Sequence, residues 1–306
     1  MNKIFLLSTA FALYTGVSVA QITTNSEWIC GYKTISCKSA SDNTIKLKYE
    51  SVDDEEEITL TKVSNNKFTV KSSAQYSNFA KTPNAEYRVV DGHKLILFKD
   101  AKGNIISTYE PYNPSNWYEE LKKGYYLLLE GEYIDDGGVK YSFKGNKVTM
   151  GNNTGTFDID PERFYIINIL GADYWWKVST TGINLYHIQK GEYGEEPGAP
   201  YHKLREISPN GRWPFLSTQI VPDHLMWRYP SGIIRLMRNE IYARHGYVFN
   251  SADLKKYFGS QSWYKPINNN AAVKLSNIEA LNVDILKSNE TAAREGTDDE
   301  EIEEGY

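Results

Sequence analysis

The densest run of reactive side chains is RNEIYARHGYVF, residues 238–249, where two arginines, a glutamate, a histidine and two tyrosines fall close together. An acid–base reading pairs Glu240 with His245. On a helix of 3.6 residues per turn, side chains five apart point about 140 degrees away from each other, so the pair cannot share a proton path. A zinc-protease helix needs a second histidine four residues from the first, and none is present. The spacing instead predicts a structural knot. Glu240 and Arg244 are four apart and flank the apolar stripe of Ile233, Ile234, Met237 and Ile241, so they pair near the core. Arg244 and His245 lie at the negative end of the helix dipole, and Gly246 ends the helix in a left-handed turn that folds Tyr247 back onto Tyr242 beyond Ala243. Arg238 and Asn239 are expected to satisfy backbone carbonyls of the segments that follow.

Elsewhere, chemistry is sparse. Carboxylates two apart on a strand, Asp158 with Asp160 and Glu130 with Glu132, face one way and could serve a hydrolase if they flanked a cleft. There is no GxSxG elbow, P-loop or HExxH motif, and the five histidines are scattered without metal-ligand spacing. No catalytic residue, metal or cofactor is therefore assigned. The net charge is −5, with acid clustered in VDDEEEI (52–58) and in the C-terminal tail and no basic stripe against it. That excludes a nucleic-acid partner of ordinary type and reads as solvated charge.

Residues 1–20, MNKIFLLSTAFALYTGVSVA, have the basic start, short apolar run and small residues at Ser18 and Ala20 of a secretion signal. The chain is thus expected to be exported to the periplasm or the cell exterior, with no transmembrane segment. In an oxidising compartment Cys30 and Cys37, the only cysteines, are expected to form a structural disulfide.

The elements that position these groups change character along the chain. Residues 21–204 read as β-rich and divide into 21–112 and 125–190. Short alternating segments such as IKLKY, EITLTKV, KFTVK and KLILFK are separated by turn signals, and a brief helix is predicted over SNWYEELKKG, capped by Ser115 and ended by Gly124. Residues 131–189 read as six or seven strands with corners at Asp136-Gly137, Lys144-Gly145-Asn146, Asn153 to Gly155 and Thr181-Gly182. KGEYGEEPGAPYHK (190–203) reads as a linker. Residues 205–290 read as helical: Asn250 with Asp253 is expected to cap a second helix, Ser276 with Glu279 forms a capping box for a third, and QSWYKP supplies Trp263 and Tyr264 as core bulk. An acidic, disordered tail is predicted for 291–306. The fold class is α+β, an antiparallel meander or barrel followed by a small all-helical domain.

The ordered motifs RNEIYARHGYVF, ADLKKYFGSQSWYKP and LSNIEALNVDILK resemble the YARHG family over about residues 214–289. The resemblance implies an exported bacterial protein and no particular reaction. The runs GEY, DDGG, YSFKGN and INLY make 127–190 similar to small lipocalin-like domains of secreted bacterial proteins. The best functional expectation is a non-catalytic binding protein, whose partner is an envelope component, a protein or a small apolar or sugar ligand. The alternative is a wall-polymer hydrolase acting through a carboxylate pair.

Overall fold

The computed structural model describes residues 22–50, 55–75, 77, 79–159, 163, 165–188 and 200–296. Two eight-stranded antiparallel barrels follow one another and close independently. The first contains β1 (Glu27–Cys30), β2 (Lys33–Ala40), β3 (Thr44–Glu50), β4 (Glu55–Ser64), β5 (Lys67–Ser72), β6 (Asn84–Val90), β7 (His93–Lys99) and β8 (Ile105–Pro111). It closes where Trp28 and Ile29 of β1 pair with Pro111 and Glu110 of β8. Strand alternation explains the filling: Ile58 and Leu60 of β4, Leu47 of β3 and Ile35 of β2 all point inward and are buried. Asp91-Gly92, both at positive φ, make the two-residue hairpin between β6 and β7.

Helix α1 (Trp117–Leu129) then crosses to the second barrel. It runs past Gly124, where a stop was expected, and no side chain caps its start. Gly124 is buried in mid-helix because a Cβ there would lie 3.1 Å from Leu225 and 3.2 Å from Pro222. Tyr125 and Tyr126, at the start of the stretch 125–190 read as β-rich, therefore sit on this helix.

The second barrel contains β9 (Gly131–Ile134), β10 (Lys140–Lys144), β11 (Lys147–Met150), β12 (Asn153–Ile159), β13 (Ile166–Ile169), β14 (Ala172–Ser179), β15 (Gly182–His187) and β16 (His202–Glu206). Strand β16, read from sequence as the end of a linker, closes the barrel by pairing Arg205 and Glu206 with Ile134 and Tyr133. Two of the expected corners shift: Asn153 to Gly155 lies in β12 and Gly182 in β15, with the turns falling at 151–152 and 180–181. The interior is filled by fully buried Tyr133, Tyr141 and Phe157 with Phe143, Ile167 and Leu185.

Three α-helices follow among the described residues: α2 (Ser231–Arg244), α3 (Ala252–Gly259) and α4 (Asn277–Gly296). Helix α4 takes residues 291–296 away from the expected tail, and the rest of that tail lies outside the described residues. None of the described helices is long and apolar enough to cross a membrane. The helices share one buried cluster with α1, the second barrel and Val90, Leu95, Leu97 and Ile105 of the first barrel, whose interior forms a second cluster.

Candidate functional site

Cys30 and Cys37 are free, which corrects the expected disulfide. They occupy the β1–β2 hairpin, where Cys30 pairs with Lys33 while the amide of Cys37 bonds the carbonyl of Ser26. Both therefore face the barrel interior but lie four residues apart along the strand direction, roughly 13 Å at 3.3 Å per residue. A disulfide tolerates no more than about 7 Å between Cα atoms.

The 238–249 motif is built as a joint. Glu240, 1% exposed, accepts the backbone amides of Arg212 (3.0 Å) and Trp213 (2.8 Å) and pairs with Arg244 at 2.6 Å. Gly211 makes this approach possible, since a Cβ there would sit 2.7 Å from both Glu240 Oε1 and Arg244 Nη2. Arg212 then reaches back to the second barrel, donating to the carbonyls of Ser179 (2.8 Å) and Gly182 (2.6 Å). At the C-terminus of α2, Gly246 (φ 74°) donates to Ala243 O and Tyr247 to Tyr242 O, the paired bonds of a Schellman cap. The Tyr242 and Tyr247 rings pack 5.6 Å apart. His245 Nε2 meets Glu279 Oε2 at 2.8 Å, and Glu279 holds the expected capping box with Ser276.

Other expectations around the motif change. Arg238 pairs with Glu290 at 2.8 Å, and Asn239 bonds back to Arg235 O of its own helix, so neither serves later carbonyls. Ser251, and not Asn250, stands at the start of α3, and Asp253 pairs with Arg235. Trp263 lies against the Arg244 guanidinium at 5.6 Å, and the Tyr264 hydroxyl donates to Tyr247 O at 2.7 Å. Asn282, not singled out in the sequence, is fully buried on α4 and bonds Val221 N, Leu216 O and Gln219 O. Every one of these contacts is internal.

The group of side chains that faces open space lies elsewhere. A cleft of about 450 Å³ runs from one end of the first barrel to the surface, between α1 and a 3-10 turn at Asp223–Arg228. Its inner end carries Tyr49, Glu56, Phe79 and Tyr109, and its outer end Tyr32, Tyr125, Trp227 and Arg228. Arg228 lies over the rings of Tyr125 (5.1 Å) and Trp227 (4.7 Å) and hydrogen-bonds Tyr125. Trp227 is 67% exposed and Tyr32 43%.

Cys30, Asp223 and His224 form the cleft wall. His224 packs on Gly31, where a Cβ would lie 3.1 Å away. Burial pushes the Cys30 thiol up to about 12, so it is neither a thiolate nor an activated nucleophile. Burial, with Arg228 beside it, pushes His224 down to about 4, leaving a neutral ring whose Nε2 is buried without a hydrogen bond. Burial also raises the Asp223 carboxyl, which Asn289 binds at 2.7 Å. This wall is chemically quiet. Sequence reasoning missed the cleft because its residues come from eight separate stretches, from Cys30 to Asn289, that only the folded chain brings together.

No curated protein and no solved structure matches the chain. The family model described as YARHG domain matches residues 212–291, which takes in α2, α3, most of α4 and the loop that Glu240 anchors. The helical C-terminal module of this chain thus matches the YARHG domain.

Proposed function

We propose that this chain is an exported, non-catalytic binding protein of the bacterial envelope or cell exterior, and that the cleft at the end of the first barrel is its ligand site. One observation carries the reading: a cavity of about 450 Å³ is walled by tyrosine, phenylalanine and tryptophan rings and has a carboxylate at its inner end and a guanidinium at its mouth. Concave, largely apolar sites with a few convergent polar groups are the usual form of a small-ligand site. The YARHG match supports export, and the quiet chemistry of Cys30 and His224 supports binding without turnover.

The hydrolase reading draws little support. Asp158 is held by Lys122 (3.0 Å) and Tyr126 (2.9 Å), and so fastens α1 to the second barrel. Asp160 lies outside the described residues. Glu132 accepts Ser142 at 2.9 Å on an exposed strand face, and Glu130 follows the end of α1.

The test is titration with 1-anilinonaphthalene-8-sulfonate, an aromatic anion whose fluorescence rises in apolar surroundings. Native protein should bind it with one-to-one stoichiometry, and Trp227→Ala combined with Tyr32→Ala should weaken binding at least tenfold without lowering Tm. No dye binding, or binding indifferent to both substitutions, contradicts the assignment.

A further inference from the structure

Two carboxylates line the cleft: Asp223, which Asn289 binds, and Glu56, which is 6% exposed. Glu56 stands opposite Tyr49 in the β3–β4 register and shares the inward face with Ile58 and Leu60. The Ser72 and Ser77 hydroxyls both donate to Oε1, the latter at 2.7 Å. Oε2 accepts no hydrogen bond among the described residues, and no described cation lies within ion-pair distance of the carboxylate. A buried carboxylate held by neutral donors alone retains most of its desolvation cost, which a counter-charge would relieve.

The surroundings suit a cation of a particular kind. Tyr49 and Phe79 pack edge to face at 5.1 Å and Phe79 meets Tyr109 at 6.2 Å, so three rings line the space beside Glu56. Aromatic faces carry negative quadrupole and attract alkyl-ammonium groups, most strongly where water is displaced. No group of three or more potential metal-ligating side chains occurs among the described residues, and one carboxylate with two hydroxyls is too few oxygens for calcium or magnesium.

We propose that the inner end of the cleft binds an organic ammonium group, with Glu56 as counter-charge and Tyr49, Phe79 and Tyr109 as walls. The inference rests on the cleft being the ligand site. The remainder of such a ligand runs outward past Tyr125 towards Lys33 and Arg228, where a neutral or anionic group fits.

The experiment compares phenethylamine with phenethyl alcohol, its uncharged counterpart, by calorimetric titration of the full chain at pH 7. Phenethylamine should bind at least tenfold tighter, and Glu56→Gln, which keeps an oxygen for both serines, should remove the difference. Equal affinities in the native protein overturn the proposal, whatever the variant does, and so does a preference that survives in Glu56→Gln. Should the dye bind while the ammonium preference is absent, only this proposal fails. Should neither probe bind, the cleft itself is not the site and both readings fall.

Discussion

At the residue scale the YARHG motif acts through buried connections. Glu240→Ala removes the acceptor for two backbone amides and strands Arg244, so it should cost about 3 kcal/mol or more. Gly246→Ala should cost about 2 kcal/mol or more, for two reasons: its φ is 74°, and a Cβ would meet Lys265 O at 2.5 Å. Thermal unfolding of the full chain checks both, and losses under about 0.5 kcal/mol would contradict the joint described here. His224 gives a pH dependence. Its folded-state pKa, about 4, lies below the ordinary 6.5, so the unfolded chain takes up the proton first as pH falls. Stability should therefore be unaffected above pH 6.5 and drop by up to a few kcal/mol between pH 6.5 and 4, and His224→Phe should flatten that part of the stability curve. An unchanged slope would show that the ring titrates alike in the folded and the unfolded chain. The Glu240–Arg244 pair and the Gly246 cap were legible because they depend on spacing within one helix. The partners of Arg238 and His245 were not, since Glu290 and Glu279 lie 52 and 34 residues away.

At the element scale, strands announced themselves wherever one face is buried and the other wet, as in KYSFK, whose Tyr141 and Phe143 point inward. The β1–β2 hairpin was missed because its two cysteines drew a disulfide reading over an alternating stretch. Strand β16 was missed because only five residues follow a Gly- and Pro-rich run, and β9, the partner with which it closes the barrel, is remote in sequence. The seam it makes depends on Gly182. A Cβ at that position would lie 1.8 Å from Leu204 O, inside the β15–β16 ladder, and the Gly182 carbonyl also receives Arg212. Gly182→Ala should consequently open the seam at a cost on the order of 3 kcal/mol. Hydrogen exchange should show it first in β16, and protection equal to that of the native protein would contradict the seam's dependence on this glycine.

At the scale of the whole molecule, the YARHG helices are not packed as a separate body. Their core runs through Trp213, Phe215 and Tyr229 into α1 and the second barrel, and also reaches Val90, Leu95 and Leu97 on the first. The fold class and the helical module were readable from local pattern, whereas the cleft was not. Glu56 lies within the acidic run VDDEEEI, read as solvated charge, although its two-residue spacing from Ile58 and Leu60 places it on the buried face. Closure of the first barrel turns that carboxylate inward, and α1 and the 223–228 turn then build the outer walls around it. The YARHG motif thus holds the molecule together, and the proposed ligand cleft lies apart from it. Dye titration of two variants side by side tests that division most directly. Trp227→Ala with Tyr32→Ala should lose anilinonaphthalene sulfonate binding at least tenfold at native Tm, while His245→Gln should lower Tm and leave the affinity of the folded protein unchanged. The reverse pattern, with binding lost in His245→Gln at native Tm and retained in the cleft variant, would place the site at the motif and contradict the account.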